Sequence, residues 1–230
     1  GLRSRDLTMP EEINRIVTDS ISDLLFTTER EAGDNLRSEG RPDESIFFVG
    51  NVMIDTLMKH RAAAMALPTL DKLGLKSPQG GRRDYAVLTL HRPANVDNRE
   101  VLASLGEALC TIGKQMPVVF PVHPRTRARI QEFGLADVFS AQNGLSLVEP
   151  MGYLDFLNLT ANARVVLTDS GGIQEETTIL GVACLTLRPN TERPITVTQG
   201  TSQLVGNDTK AITEGFENVV SGRYRISSRV

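Results

Sequence analysis

The chain has 230 residues, of which 40% are apolar and 23% charged, so it is long enough to bury a sizeable core. Its formal net charge of -3 provides no overall field for binding nucleic acid or an anionic membrane, and we expect neither partner. No apolar run approaches the roughly 20 residues that span a bilayer, and the start lacks the apolar stretch of a signal peptide, which predicts a cytoplasmic protein. The first residue is Gly rather than Met, and we expect both ends to be cut from a longer chain.

The N-terminal part of the chain alternates between helical patterns and short apolar segments. We predict a helix from Pro10, a strand at Leu24–Thr27, a helix from Glu29, a strand at Ile46–Val49 and a helix through about Met65. A polar stretch with clustered Gly and Pro follows at 77–83. We therefore predict that residues 1–50 form the C-terminal part of a first domain, residues 51–68 a linker or hinge helix, and residues 69–230 a second domain.

The rest of the sequence predicts a strand and a helix in turn. The strands are expected at Tyr85–Leu90, Val118–Val122, Leu145–Val148, Val165–Thr168, Ala183–Leu187 and Ser202–Val205. Helices are expected from about Asn98, Pro124, Tyr153, Gly171 and Asp208. This alternation is typical of an α/β fold with a Rossmann-like, doubly wound parallel sheet that is covered on both faces.

In open α/β sheets ligands bind outside the carboxyl ends of the strands, so the residues that follow each strand identify the candidate site. They are His91-Arg92-Pro93, His123-Pro124-Arg125, Asp169-Ser170-Gly171-Gly172 and Arg188 with Thr191-Glu192-Arg193-Pro194. Two of the three histidines and several arginines therefore converge on one rim.

The segment Ser170-Gly171-Gly172 directly precedes a predicted helix. Glycines let backbone N–H groups approach an anion, and a helix N-terminus carries about half a positive charge, so a diphosphate would fit there. The alternative is a tight strand-to-helix turn in which Ser170 is only the N-cap. Glu175 and Glu176 could accept hydrogen bonds from ribose hydroxyls, or they could be acidic residues favoured near the start of a helix.

His91 stands at the end of a strand, within reach of a ligand at Gly171, where an imidazole can bond a phosphate oxygen or a leaving group. A capping or packing role is the alternative. His123 with Arg125 has a weaker case, because the arginines that follow indicate a solvated helix face, and His60 is expected on the surface.

Several chemistries lack their characteristic motifs in this sequence. Histidines and carboxylates show no metal-ligand spacing, so no metal site is predicted. GxGxxG after an early strand and the P-loop pattern are both missing, which argues against nicotinamide redox and nucleoside-triphosphatase chemistry.

Taken together, six segments resemble the non-hydrolysing UDP-N-acetylglucosamine 2-epimerases. They are GLRSRDLTMPEEINR, FFVGNVMIDTL, TLHRPANVDN, PVHPRTR, LTDSGGIQEE and RPNTERPITVTQGTSQLVG, and they run from residue 1 to about Gly206. The resemblance implies two Rossmann-like domains of the GT-B type with the nucleotide sugar between them. It also implies that this chain holds the end of the first domain and a nucleotide-binding second domain without its closing segment.

The resemblance implies an isomerase of polysaccharide biosynthesis that interconverts UDP-N-acetylglucosamine and UDP-N-acetylmannosamine by elimination and re-addition of UDP. No metal or nicotinamide cofactor is implied, and a homodimer is. The site residues that it implies are Ser170, Gly171 and Gly172 for the diphosphate, Glu176 for the ribose, Phe156 near the uracil, Arg193 facing the sugar or phosphate, His91 for leaving-group stabilisation, and Glu11 for proton transfer, direct or by orientation.

This sequence also departs from the family pattern. The family's catalytic carboxylate in an HVEAG stretch would lie just before residue 1, and a second carboxylate lies further upstream, so we expect this chain alone to be a poor or inactive epimerase. HRPANVDN and PVHPRTR differ from the forms of many bacterial members, which puts allosteric regulation by the substrate in doubt. Two alternatives remain open: a GT-B glycosyltransferase, and a nucleotide-sugar-binding module without turnover.

Overall fold

The computed structural model describes residues 1–76 and 83–224. Most of the predicted Gly- and Pro-rich stretch, and the last six residues of the predicted second domain, lie outside the described residues. The helices are α1 (Pro10–Ile21), α2 (Arg30–Ser38), α3 (Val52–Met65), α4 (Thr69–Lys72), α5 (Pro93–Val96), α6 (Arg99–Gly113), α7 (Pro124–Glu132), α8 (Tyr153–Ala161), α9 (Gly171–Leu180), α10 (Ile195–Thr198) and α11 (Thr209–Val220). The strands are β1 (Leu25–Thr27), β2 (Ile46–Phe48), β3 (Ala86–Thr89), β4 (Val118–Pro121), β5 (Leu145–Val148), β6 (Val165–Thr168), β7 (Ala183–Thr186) and β8 (Ser202–Leu204).

Six of the strands form one parallel sheet in the order β5-β4-β3-β6-β7-β8. Numbered within this sheet, the order is 3-2-1-4-5-6, which is that of the doubly wound Rossmann fold. The order reverses between β3 and β6, where Ala86 pairs with Val165 and Thr89 with Thr168. Because ligands bind at this switch point in open α/β sheets, the residues after β3 and β6 are the expected centre of the site.

The strands of this sheet are apolar at nearly every position because both of its faces are covered. Alternate residues serve two cores: Leu88 and Phe120 lie in the one beneath α6, α7 and α11, whereas Val87 and Val119 lie in the one beneath α4, α8 and α9. The strand period of two residues thus places each side chain in one core or the other. Two packed layers of helices fix the rim from both sides.

The first part of the chain forms a smaller unit with a two-stranded parallel sheet, in which Leu25 pairs with Ile46. The helix α3 follows and packs against α8 and α9 of the larger unit. Its Leu57 is fully buried with Leu157 in an apolar cluster between the two units. The domain boundary at 51–68 stays a prediction, but α3 is the element that joins the two sheets.

The predicted fold class is confirmed, and the predicted long helices and strands all occur. Several predicted strands are one or two residues longer than the observed ones. Backbone hydrogen bonds between neighbouring strands continue past the ends of the observed strands; Val122 N, for example, donates to Val148 O at 3.0 Å. The short helices α4, α5 and α10 were not predicted, since four residues are too few for a helical period to show. Among the described residues, no helix has the length and apolar character needed to cross a membrane.

Candidate functional site at the switch point of the sheet

Asp169 lies at the centre of the rim, directly after β6. Its carboxylate is fully buried and accepts hydrogen bonds from the backbone N–H groups of His91 and Arg92, at 3.0 and 2.9 Å, and from the side-chain amide of Asn95 at 3.3 Å. It also lies 2.9 Å from Nδ1 of His91. Burial alone would raise the pKa of Asp169, but the hydrogen bond and charge of His91 and the backbone donors outweigh it and lower that pKa.

The start of α1 reaches this rim from the smaller unit. Glu11 Oε1 lies 2.8 Å from Nη1 of Arg92, the residue after His91. A cleft of about 390 Å³ separates the two units here, with Glu11, Arg92, Asn95 and Arg188 among its lining residues. The structure therefore brings Glu11 into contact with the residue that directly follows His91, although 80 positions separate Glu11 from His91 in the sequence.

Ser170, Gly171 and Gly172 form the junction between β6 and α9. The Ser170 side chain makes no capping hydrogen bond to the helix, unlike the N-cap side chains of α3, α6, α7 and α11. A Cβ added at Gly172 would meet no atom within 4 Å. The first turn of α9 is thus open on this side, and its N–H groups and positive dipole end are available to an anion.

Arg193 lies beside the same turn, held by two buried carboxylates. Its Nε is 2.9 Å from Glu175 and its Nη1 is 2.5 Å from Glu192. Glu192 also pairs with the buried Arg188 at 2.8 Å. Burial would raise the pKa of Glu192, but Arg188 and Arg193 lower it to about 2. A Cβ on Gly171 would lie 2.3 Å from Arg193 Nη1, so the absence of a side chain there makes room for this pair.

The predicted ribose ligand Glu176 is buried one turn further along α9. Burial and the negative charge of Glu175 raise the pKa of Glu176, and a hydrogen bond with Tyr153 of α8 partly opposes this. Phe156, on the same helix as Tyr153, is partly buried against the core on that face of the sheet. The roles of Glu176 and Phe156 in holding a nucleoside stay predictions.

Another buried carboxylate, Glu29, lies where the smaller unit meets α9. Its side chain is buried, and Oε2 has no hydrogen-bond partner among the described residues. Burial and the charge of Glu175 raise the pKa of Glu29 to about 7, against the opposing effect of Arg193. Asn51, the N-cap of α3, donates to Glu175 at 2.8 Å and so ties the joining helix to the same cluster.

The other two histidines occupy different positions. His123 caps α7, where its Nδ1 accepts from Arg125 N at 3.2 Å, and its ring centroid lies 6.1 Å from that of His91. His60 was expected on the surface but is partly buried, with its ring edge-on to Tyr153. The face of α3 that carries His60 packs against α8, so the side chain is only partly exposed.

Sequence reasoning assigned no role to Asp169, Asn95, Glu192 or Glu29. For Asp169 a signal existed, since it directly follows an apolar strand and precedes the Gly pair. The partners of the other three come from distant loops, and no local pattern identifies them. Within residues 1–76 and 83–224, no group of three or more His, Cys, Asp or Glu side chains could hold a metal ion.

The fold and the rim define a Rossmann-like α/β protein with an anion-binding junction at the switch point of its larger sheet. A family model described as UDP-N-acetylglucosamine 2-epimerase matches residues 1–229, and the chain belongs to this family.

Among the relatives is the UDP-N-acetylglucosamine 2-epimerase of Methanococcus maripaludis, which is 41% identical over 96% of this chain and 60% of its own length. The UDP-2,3-diacetamido-2,3-dideoxy-D-glucuronate 2-epimerase of Pseudomonas aeruginosa is 42% identical over 90% of this chain and 55% of its own length.

A solved structure extends the similarity to the fold. The UDP-GlcNAc 2-epimerase of Methanocaldococcus jannaschii, crystallised with UDP-GlcNAc and UDP, superimposes with a TM-score of 0.88 at 40% identity, over 98% of this chain and 62% of that one. The chain thus spans about 60% of the length of the relatives that it matches.

Proposed function

We propose that the protein to which this chain belongs interconverts UDP-N-acetylglucosamine and UDP-N-acetylmannosamine by inverting the configuration at C2. Membership of the epimerase family supports the reaction, and the M. jannaschii structure with UDP-GlcNAc and UDP supports the ligand. Because the chain spans only part of its relatives, the proposal concerns the longer protein. Binding of the UDP moiety is the part that this chain can perform alone.

One observation carries the proposal. The first turn of α9 is uncapped by a side chain, lined by Gly172 on its open side, and flanked by His91 and Arg193. Free N–H groups, a helix dipole and cationic or hydrogen-bonding side chains together bind a diphosphate well. The same groups would stabilise negative charge on a departing diphosphate, which is what an elimination at C1 requires.

The proposed chemistry has two balanced half-reactions. A base removes the proton from C2 while the bond between C1 and the diphosphate oxygen breaks, giving UDP and a 2-acetamidoglucal. In the return step the diphosphate oxygen adds to C1 and a proton adds to the opposite face of C2. We assign leaving-group stabilisation to His91 and proton transfer, direct or by orientation, to Glu11, which contacts the neighbouring Arg92.

The other assignments are part of the same proposal. Ser170, Gly171 and Gly172 hold the diphosphate, Glu176 the ribose, Phe156 the uracil side, and Arg193 the sugar or phosphate. The P. aeruginosa relative makes a diacetamido-glucuronate a second candidate sugar, because it is as similar to this chain as the relatives named for UDP-N-acetylglucosamine. A homodimer and a cytoplasmic location stay predictions.

Calorimetry with UDP tests the binding half of this proposal. We expect Ser170→Ala combined with Glu176→Ala to weaken UDP binding by about 2 to 5 kcal/mol, or roughly 30- to 5,000-fold, because charged hydrogen bonds are lost. The matched control removes the same two side-chain types from the C-terminal end of α11 and its C-cap, as Glu217→Ala with Ser221→Ala, and should leave the affinity unchanged. Equal affinities of the two double variants would reject the assignment.

Product analysis tests the chemical half and separates the alternatives. The protein that includes the remainder of the first domain should convert UDP-N-acetylglucosamine to UDP-N-acetylmannosamine without an acceptor. A glycosyltransferase would release UDP only when an acceptor is added. Tight UDP binding with no turnover by the longer protein would instead favour a binding module.

A further inference from the structure

The carboxylate of Asp169 is satisfied entirely by one loop. Its four hydrogen-bonding partners within the described residues are the backbone N–H groups of His91 and Arg92, the amide of Asn95 and Nδ1 of His91. Asn95 also donates to Leu187 O at 2.9 Å, so the same loop is tied to the end of β7. A fully buried carboxylate with this many donors is fixed in position and ionised.

This arrangement determines which nitrogen of His91 carries a hydrogen. An ionised carboxylate only accepts hydrogen bonds, so Nδ1 of His91, 2.9 Å from Asp169, must donate. Nε2 lies across the ring from this buried contact. The His91 side chain is 40% exposed whereas Asp169 is fully buried, so the exposed part of the ring is expected to be the side that carries Nε2.

We infer that Asp169 is the positioning residue of His91, which holds the imidazole with its hydrogen on Nδ1 and presents Nε2 to the ligand at the first turn of α9. The identity of that ligand rests on the proposed function, whereas the orientation of the ring does not. A neutral ring then accepts a hydrogen bond at Nε2, and a protonated ring donates from Nε2 to an oxygen of the departing diphosphate.

His123 provides an internal control for this inference. Its Nδ1 accepts a hydrogen bond from the backbone N–H of Arg125, so the neutral ring must carry its hydrogen on Nε2. The hydrogen bonds at Nδ1 thus predict opposite tautomers for the two neutral rings. Because the ring centroids lie only 6.1 Å apart, the two histidines can be compared in nearly the same environment.

The nitrogen-15 NMR shifts of the ring nitrogens identify the tautomer of each histidine in the ligand-free chain, at a pH well above the ordinary histidine pKa of about 6.5. We expect hydrogen on Nδ1 of His91 and on Nε2 of His123. In Asp169→Asn, the amide oxygen should stay with the backbone donors and the NH₂ group should face the ring, so His91 should change to the Nε2–H tautomer. Asp97→Asn is the matched control, because Asp97 pairs with Arg125 and Arg129 and not with His91.

Two results would overturn the inference: hydrogen on Nε2 of His91 in the unmodified chain, or an unchanged tautomer in a folded Asp169→Asn variant. If that variant does not fold, the spectrum of the unmodified chain still decides.

Titration with UDP separates this inference from the proposed function. We expect the Nε2 signal of His91 to respond to UDP and the affinity to fall about 10- to 100-fold in Asp169→Asn. The Nδ1–H tautomer without any response to UDP would support the positioning role and reject the proposed ligand.

Discussion

The rim of the six-stranded sheet and its junction with the smaller unit differ in how a buried carboxylate is accommodated. At the rim of the six-stranded sheet, Asp169 and Glu192 are almost fully buried, and each has donors or cations as partners. At the junction with the smaller unit, Glu29 is also buried but keeps an oxygen without a partner in the described part of the chain. The rim is therefore preorganised by compensated charge, whereas the junction contains a charge that the fold disfavours.

Removing Glu192 is the strongest test of whether compensated buried charge stabilises the rim. We expect Glu192→Ala to lower the free energy of unfolding by about 3 to 5 kcal/mol, because Arg188 and Arg193 lose a buried partner. Urea denaturation measures this change. The control is Glu149→Ala, which removes the exposed partner of Arg127 and should cost less than about 1 kcal/mol. If both variants lose the same stability, charge compensation does not hold the rim.

At the junction, the charge of Glu29 should lower the free energy of unfolding, whereas the charge of Glu192 at the rim raises it. The pKa of Glu29 is about 7 in the fold, against 4.5 for the ordinary group, so between these pH values the folded state binds more protons than the unfolded state. Unfolding free energy should therefore fall by up to about 3 kcal/mol as the pH rises from about 4.5 to 7. Glu29→Gln should remove this loss and be more stable than the parent at pH 8, but not at pH 4.5.

Denaturation curves across pH check this prediction, with Glu44→Gln as the control, because Glu44 is exposed in the turn before β2 and does not contribute to the raised pKa of Glu29. Glu192 should show the reverse dependence: its pKa of about 2 lies below the ordinary 4.5, so its stabilisation is present above pH 4.5 and is lost as the pH falls toward 2. Parallel pH profiles for the parent and Glu29→Gln would mean that the junction carries no disfavoured charge.

The comparison also shows which features the sequence could predict. Apolar strands alternating with helices were sufficient for the fold class, and the rule that ligands bind at the carboxyl ends of strands was sufficient to select His91 and Ser170–Gly172. The contact of Asp169 with His91 was not predictable locally, because it depends on β3 and β6 being neighbours although 78 residues separate the pair. Glu29 was beyond prediction for the same reason, since its environment is created by α9 and Arg193.

The smallest stability effect in this series, and the one that best separates structure from ligand binding, comes from the adjacent glycines of the junction. A Cβ on Gly171 would lie 2.3 Å from Arg193 Nη1 and 2.4 Å from Glu192 Oε1, so Gly171→Ala must displace the ion pair. We expect a loss of about 1 to 3 kcal/mol in unfolding free energy. Gly172→Ala meets no atom within 4 Å and should leave stability equal or raise it by up to about 1 kcal/mol, since Ala favours a helix over Gly.

The same substitution at Gly172 should nevertheless weaken UDP binding, because the added methyl group occupies the space through which a diphosphate approaches the backbone N–H groups. Thermal or urea denaturation combined with UDP calorimetry on the two variants gives both quantities. A stable Gly172→Ala variant with reduced affinity is the result expected of a ligand at the helix start, because the added Cβ meets no neighbouring atom within 4 Å. Unchanged affinity in that stable variant would place the diphosphate elsewhere and leave Gly172 as a simple turn residue.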